Sequence, residues 1–383
     1  MAPNNATVAR TPVVLTTAPP GSYFSDLAFS PGPSRLSLLT TVVTRTDNQQ
    51  SVCRVASVSR HTGALVHVTP RLEHVHEACW LRDGVRHRVL VASQGLPVGL
   101  YCAGEGVHGQ SRGLLASYAA LDAYSGEVEP LYSVATDDVW IYAGSRDAVY
   151  RWDASRPGKD AVGMYPRWDD GYRESSLSGC IGRVGRVDRV DRAGRAGRVG
   201  ARRRRKHDIV SSVAVGAGSN SSLVALGGYC GRVAMFDSRT NAQCMYVDGF
   251  AAGVTQVGMA GGCLYVGCRG QGDVWVFDMR KGSEVVGSGV VKRGFVGETR
   301  RVRFGVGPRG LASGVGAGVG GGVRVWERVG TVWEAEGEGG EEQQGVLVNA
   351  CAWCMSDGAL ATATGDWHGL GASSCIKVYE NGV

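Results

Sequence analysis

A short unit of two strands recurs along this chain, and its spacing limits the folds that the chain can adopt. The unit is an apolar strand ending in small residues, a glycine-containing turn, and a strand that closes on an aromatic residue. Six copies close at Tyr101, Trp152, Phe236, Phe277, Trp326 and Tyr379. The intervals are 51, 84, 41, 49 and 53 residues, and the longest falls to 58 without an Arg-rich segment of 26 residues. A period of roughly 40–50 residues is typical of a four-stranded propeller blade.

A seventh unit can be read near the start of the chain, in the strand-like runs 23–31, 36–43 and 52–59. The sequence therefore predicts an all-β, seven-bladed β-propeller over residues 21–383, after a flexible N-terminal segment at 1–20. We expect the recurring pair to be the third and fourth strands of each blade. A pair of β-sandwiches with coincidental spacing is the alternative. Alternation of strands and amphipathic helices is absent, which disfavours α/β enzyme folds.

Composition favours a reduced, intracellular protein. Glycine accounts for 58 of 383 residues without a collagen register, as expected for many tight turns. No apolar run approaches the roughly 18 residues of a membrane span, and we expect no membrane anchor. The eleven cysteines are odd in number and spread over the chain, unlike a disulfide framework. Cys351 and Cys354 lack the second pair that a zinc site requires, so no metal site is predicted.

Positive charge is concentrated in one segment. Residues 181–206 hold ten Arg, one Lys and two Asp, a charge of +9, so the remainder of the +6 chain carries −3. We expect a disordered insert between blades at about 181–207 and an acidic loop at about 334–345. The insert is either a polycation that binds RNA phosphates and aids nuclear import, or a tripeptide expansion that a loop tolerates. Its candidate RNA-binding residues are Arg183, Arg186, Arg189, Arg192, Arg195, Arg198, Arg202, Arg203, Arg204, Arg205 and Lys206.

The aromatic-Asp strand endings at 152–153, 236–237 and 277–278 resemble WD40 repeats. A narrower likeness covers roughly residues 75–380, which are similar to the telomerase Cajal body protein family. Its most specific part is the turn Arg156-Pro157-Gly158-Lys159-Asp160, and it extends to the strands at 113–118 and 208–214 and the turn at 227–232. Several units lack the aromatic-Asp ending, and the acidic segment at 334–342 departs from the family pattern.

This resemblance implies a non-enzymatic scaffold in small nuclear ribonucleoprotein biogenesis. The expected partners are proteins of nuclear ribonucleoproteins and small Cajal body, telomerase or splicing-related RNA, with no membrane and no small-molecule substrate. The expected location is the nucleus, with the cytoplasm as a second compartment. The alternative is a WD40 adaptor that binds protein partners without RNA.

No catalytic residues or cofactors are predicted from the sequence. Two strings, 305–310 and 316–321, fit the dinucleotide-binding glycine pattern, but each leads towards strand sequence and not a helix. Asp137 and Asp138 are expected to form a turn, and His74 and His76 to lie on a solvated strand edge. Exposed aromatic and cationic residues of loops dominate many interfaces. The candidate partner surface is Trp80, Arg82, Arg146, Tyr229, Arg232 and Arg269, with Tyr142 and Trp353 as further aromatic candidates.

Overall fold

A computed structural model of the 383-residue chain describes most of the repeating units. The described residues are 13–30, 37–45, 51–83, 86–103, 113–122, 125–164, 166, 208–216, 222–279, 285–296, 303–307, 310–315, 322–329, 332–339, 348–355, 357–364 and 374–380. The predicted insert at 181–207, with all eleven of its candidate RNA-binding residues, lies outside these ranges.

The described residues form seven four-stranded antiparallel sheets, which we name S1 to S7 in chain order. S1 contains β2 (Ser22–Phe29), β3 (Ser37–Arg45), β4 (Ser51–Ser59) and β5 (Leu65–His67). S2 contains β6 (Val75–Asp83), β7 (Arg86–Ser93), β8 (Val98–Cys102) and β9 (Leu114–Tyr118). S3 contains β10 (Ser133–Thr136), β11 (Trp140–Gly144), β12 (Val149–Asp153) and β13 (Val162–Met164).

The remaining sheets repeat this order of strands. S4 contains β14 (Val210–Val215), β15 (Leu223–Gly228), β16 (Arg232–Asp237) and β17 (Ala242–Val247). S5 contains β18 (Val254–Ala260), β19 (Cys263–Cys268), β20 (Gln271–Asp278) and β21 (Val285–Val296). S6 contains β22 (Gly305–Val306), β23 (Gly310–Val315), β24 (Gly322–Val329) and β25 (Val332–Gly339). S7 contains β26 (Val348–Trp353), β27 (Leu360–Thr364), β28 (Cys375–Tyr379) and β1 (Val13–Thr17).

Apolar side chains fill the space between neighbouring sheets. Seven buried clusters lie one at each junction, from S1–S2 through S6–S7 and back to S7–S1. The S7–S1 cluster, for example, packs Phe24 and Leu38 of S1 against Ile376 and Val378 of S7. Because the last sheet packs on the first, the sheets form a closed ring. The structure confirms the predicted all-β propeller.

The recurring pair of strands occupies a different position in each sheet from the one expected. The six closing aromatics lie on β8, β12, β16, β20, β24 and β28, which are the third strands of their sheets. Each pair is therefore the second and third strand of its sheet, and the fourth, outer strand pairs with the strand that carries the aromatic residue. In S4, β15 is almost wholly buried, whereas the fourth strand β17 alternates between buried and exposed residues. The outer strand has water on one side, so its sequence carries a weak apolar signal.

The N-terminal segment corrects a second expectation. Residues 13–17 of the segment predicted at 1–20 form β1, the outer strand of S7, which pairs antiparallel with β28 from Val13 opposite Val378 to Thr17 opposite Cys375, and residues 1–12 lie outside the described residues. The final sheet is thus completed by the start of the chain. β1 also touches S1, since the Leu15 carbonyl lies against Gly63, where a Cβ would come within 1.9 Å of the oxygen. Arg60 and Asp357 join the same two sheets by an ion pair of 2.6 Å.

Hydrogen bonds between the first strands of neighbouring sheets accompany the apolar clusters. Each donor or acceptor lies on, or immediately before, the first strand of its sheet. The bonds run from Trp80 Nε1 to Ala28 O, Val134 N to Glu77 Oε2, Ser133 Oγ to Val210 O, Val257 N to Ser212 Oγ, Gln256 Nε2 to Phe304 O, Cys351 N to Arg303 O, and Asn349 Nδ2 to Phe24 O. Every junction of the ring therefore has a polar link beside the central axis, which fixes the register between sheets.

The expected acidic loop is corrected in part. Residues 332–339 form β25, the outer strand of S6, paired with β24 from Val329 opposite Val332 to Val323 opposite Gly339. The rest of that expected loop, 340–345, lies outside the described residues. Within the described ranges, no helix is long and apolar enough to cross a membrane.

Closure by β1 can be tested with two glycines of similar backbone conformation. Gly63 (φ 67°) and Gly21 (φ 72°) both have left-handed conformations, but a Cβ at Gly21 would meet nothing within 4 Å. We expect Gly21→Ala to cost about 1–2 kcal/mol in free energy of unfolding, the cost of the conformation alone. Gly63→Ala should cost about 1–3 kcal/mol more, because the new methyl group displaces β1. Urea denaturation measures both variants, and equal losses would contradict the contact between β1 and S1.

Candidate functional site

The strand order assigns every loop of the propeller to one of two ends. Because each sheet has four antiparallel strands, the turns between second and third strands emerge at the same end as the connections from one sheet to the next. We call this end the linker end. The turns between first and second strands, and between third and fourth strands, emerge at the opposite end.

Three candidate residues lie in equivalent turns at the linker end. Arg146 follows β11, Tyr229 follows β15 and Arg269 follows β19, so they mark consecutive sheets S3, S4 and S5. All three are exposed. We call this set the linker-end rim. The repeat places them side by side, although they are separated by 83 and 40 residues in the sequence.

Tyr229 and Arg269 contact each other directly. The Arg269 guanidinium carbon lies 4.6 Å from the centroid of the Tyr229 ring, within the range of a cation–π interaction. The guanidinium Nη1 also donates a hydrogen bond of 2.8 Å to the Tyr229 hydroxyl. Tyr229 remains 46% exposed in spite of this contact. The pair therefore presents a flat ring and a cation together at the surface.

The backbone holds these turns closely against the sheet-to-sheet connections. Tyr229 N donates 2.8 Å to Ile209 O, and Arg269 N donates 2.8 Å to Gly253 O. Ile209 also forms an isolated bridge with Arg146. A Cβ at Gly253 would lie 2.3 Å from the Tyr229 carbonyl oxygen, so only glycine permits this approach of the two chains. One continuous set of backbone contacts thus joins the three turns.

Beneath the rim, acidic side chains are occupied by internal hydrogen bonds. Asp208 is buried, and its Oδ1 accepts 2.8 Å from Cys230 N. Burial raises the pKa of Asp208, a change that the Cys230 hydrogen bond and the charge of Arg232 only partly offset. The Asp147 carboxylate accepts from Asp208 N. Arg232, predicted as a surface residue, is half-buried at the start of β16 and acts on Asp208.

The other predicted partner residues lie elsewhere. Trp80 was predicted on the partner surface, but this was wrong. Its side chain is only 7% exposed and packs in the S1–S2 cluster, where its indole N–H donates to Ala28 O. Tyr142 and Trp353 are buried as well, as strand-interior aromatics commonly are. Arg82 is exposed near the end of β6, at the opposite end of the propeller, where its backbone N–H donates 2.8 Å to Asp138 Oδ1.

The turn at 156–160, the most specific part of the family resemblance, also lies at the opposite end. Residues 156–160 connect β12 with β13 and are exposed. Asp153 organises the turn, since its Oδ1 accepts from Ser155 Oγ at 2.6 Å and from Ser155 N at 2.9 Å. These bonds lower the pKa of Asp153. Arg156 Nε lies 3.4 Å from Asp153 Oδ2, and Gly158 has a φ of 83° in open space. The linker-end rim and this turn are therefore on different ends.

A charged cluster that the sequence analysis missed lies near the central axis. Arg303 Nη1 lies 2.7 Å from Glu77 Oε1, and Arg303 Nη2 lies 3.5 Å from Asp26 Oδ2. Arg303 precedes the first strand of S6, while Glu77 and Asp26 are on the first strands of S2 and S1. Since S6 and S2 are not neighbours, the Arg303 side chain crosses the central channel. Burial lowers the pKa of Arg303, but Asp26 and Glu77 raise it above its ordinary value.

Candidate catalytic groups are engaged in structural contacts. Asp137 accepts from Val139 N at 3.0 Å and Trp140 N at 2.6 Å, which is the turn that the sequence indicated. Burial raises the pKa of Tyr142, whose hydroxyl donates to Asp137, to about 12.

The paired histidines and the glycine-rich strings of the sequence do not form a metal or dinucleotide site in the described residues. The rings of His74 and His76 are 4.8 Å apart, and among the described residues no group of three or more His, Cys, Asp or Glu side chains could hold a metal. The string 305–310 joins two strands, and a Cβ at Gly307 would lie 2.3 Å from the Trp353 ring. The second string, 316–321, lies outside the described residues.

The proximity of Tyr229 and Arg269 could have been predicted from the sequence, but the Arg303 cluster could not. Tyr229 and Arg269 each come directly after the second strand of consecutive repeats, so alignment of the repeats would have placed them together. Arg303 had no such signal, because its partners are 226 and 277 residues away and belong to sheets that do not adjoin S6. Comparison of the chain with models of known protein families gave no match, and neither did comparison with curated proteins.

The central cluster can be tested by removing its cation. Arg303→Met leaves two carboxylates near the axis without their partner, which should cost about 3–5 kcal/mol in free energy of unfolding. Arg239→Met is the matched control, because Arg239 is paired with Asp237 on the exposed surface and its loss should change stability little. Urea denaturation near pH 7 measures both. Equal stabilities of the two variants would contradict a structural role for the central cluster.

Proposed function

We propose that this chain is a non-enzymatic, seven-bladed WD40-type scaffold that acts in small nuclear ribonucleoprotein biogenesis. The seven four-stranded sheets support the blade number, and a closed ring of sheets suits a scaffold because it presents loops from a rigid frame. The partners proposed are proteins of nuclear ribonucleoproteins together with small Cajal body, telomerase or splicing-related RNA. The residues that resemble the telomerase Cajal body protein family support this choice of RNA class.

The observation that carries the proposal is the cationic and aromatic surface at the linker end. Arg146, Tyr229 and Arg269 are exposed there on three consecutive sheets. β13 ends and β14 begins at this end, and the sequence between them includes the eleven basic residues of 183–206. A basic segment supplies affinity for phosphates without sequence preference, and an exposed aromatic ring supplies a stacking surface. The two features supply complementary contacts for an RNA.

A scaffold without catalysis is supported by the state of the acidic groups. Asp26 and Glu77 both pair with Arg303, and the Asp137 carboxylate accepts hydrogen bonds within a turn. Asp208 and Asp147 accept hydrogen bonds from the backbone. A general acid or base needs a free proton site beside a substrate, whereas Asp26, Glu77 and Asp137 are bonded within the protein and Asp208 is fully buried. We propose no cofactor, and we propose the nucleus as the location because the run 202–206 has the composition of a nuclear import signal.

A second candidate is an adaptor that binds protein partners without RNA. It is favoured by Leu121 and Val128, which form an isolated bridge in the connection from S2 to S3 and are 55% and 43% exposed. Adjacent exposed apolar side chains are a feature of protein contacts. The two candidates differ in whether the basic segment binds RNA.

Ultraviolet crosslinking in cells, followed by sequencing of the bound RNA, separates the candidates. We expect the tagged full chain to yield small nuclear RNAs. Deletion of 182–206 should reduce that yield at least several-fold, because it removes all ten arginines and Lys206 of the basic segment. The purified full chain should also lose RNA affinity steeply with salt, and the deletion should flatten this slope.

The control is Arg156→Ala, an exposed arginine at the opposite end, which should retain the wild-type RNA yield. Absence of crosslinked RNA above background, with the same salt response before and after the deletion, would overturn the ribonucleoprotein proposal. That outcome would leave the protein-binding adaptor as the function.

A further inference from the structure

Three turns at the linker end combine features that a single-stranded nucleic acid needs. Tyr229 provides a ring that is 46% exposed, and Arg269 provides a guanidinium 4.6 Å from its centroid. Arg146 adds a second exposed guanidinium on the neighbouring sheet. Nucleobases stack on aromatic rings, and their phosphates pair with arginine, so an exposed ring with cations on its own and the adjacent turns offers both kinds of contact.

The ring is fixed before any ligand binds. The Tyr229 backbone donates to Ile209 O, the Arg269 backbone donates to Gly253 O, and Arg269 Nη1 donates to the Tyr229 hydroxyl. Gly231 has a φ of 77°, and a Cβ there would lie 2.5 Å from Phe250 O, so the turn has little freedom to move. A fixed ring loses little conformational freedom on binding, which favours stacking.

The exposed charged side chains of the three turns themselves are cationic, and Asp248 is an exposed acid of the neighbouring connection from S4 to S5. The nearby Asp208 is buried, and its Oδ1 is bonded to Cys230 N, while Asp147 accepts from Asp208 N. The exposed side chains of the rim are thus the cations and the ring. An acidic peptide would use the cations alone, whereas a nucleic acid would use the ring as well. The exposed ring therefore favours RNA as the occupant.

We infer that Tyr229 is a base-stacking platform for single-stranded RNA, with Arg269 and Arg146 as its phosphate contacts. This inference rests on the proposed function and deepens it, because it names the end of the propeller and the residues that meet the RNA. It also explains why the basic segment itself needs no aromatic residue. The stacking surface is supplied by the turn after β15.

Fluorescence anisotropy with a labelled 12-nucleotide oligouridine tests the inference on the full chain. We expect Tyr229→Ala to weaken binding about 5- to 20-fold, because stacking on the ring is lost. Tyr229→Phe should bind within about twofold of the wild type, since the ring is kept. Arg269→Ala should weaken binding and reduce the slope of log affinity against log salt by about 1.

Arg82→Ala and Arg156→Ala, exposed arginines of the opposite end, are the controls and should bind like the wild type. Thermal unfolding of each variant confirms that the fold is retained.

If the full chain binds RNA but Tyr229→Ala binds equally well, the stacking site is wrong and the proposed function stands. If polyglutamate competes as effectively as RNA and Tyr229→Ala has no effect, the rim is a site for acidic peptides. If the full chain binds no RNA, both proposals fail.

Discussion

The hydrogen bonds between neighbouring first strands are the interaction on which the rest of the structure depends. Apolar burial drives the sheets together but is not directional, so it alone leaves their relative register open. The polar links at the seven junctions, from Trp80 to Ala28 round to Asn349 and Phe24, set that register beside the axis. Arg303 adds a link across the channel to Glu77, which itself accepts from Val134 N. The pairing of β1 with β28 then completes the last sheet.

The fixed register of the sheets determines which loops lie next to one another at the surface. With register fixed at the axis, the turns after β11, β15 and β19 come to lie next to one another at one end. Tyr229 and Arg269 are held there by backbone hydrogen bonds, and acidic groups nearby are bonded inward. The exposed ring and its neighbouring cations therefore lie at the end of the propeller where β13 ends and β14 begins.

Much of the fold was predictable because it repeats. Alternating strands and closing aromatics such as Phe277, Trp326 and Tyr379 recur at similar intervals, here 49 and 53 residues, so the all-β propeller could be read from the sequence. The outer strands could not, because half-exposed strands such as β1 and β17 have a weak apolar pattern. Trp80 was misplaced at the surface because sequence alone does not distinguish an aromatic facing a neighbouring sheet from one facing water. Arg303 was missed because its partners are brought together only by closure of the ring.

Native-state hydrogen exchange tests the closed ring most directly. If polar links at each junction couple the sheets, the slowest amides of the first strands β2, β6, β10, β14, β18 and β26 should share one opening free energy, close to that of global unfolding. Sheets that open one by one, each with its own free energy as in a linear array of repeats, would contradict the account.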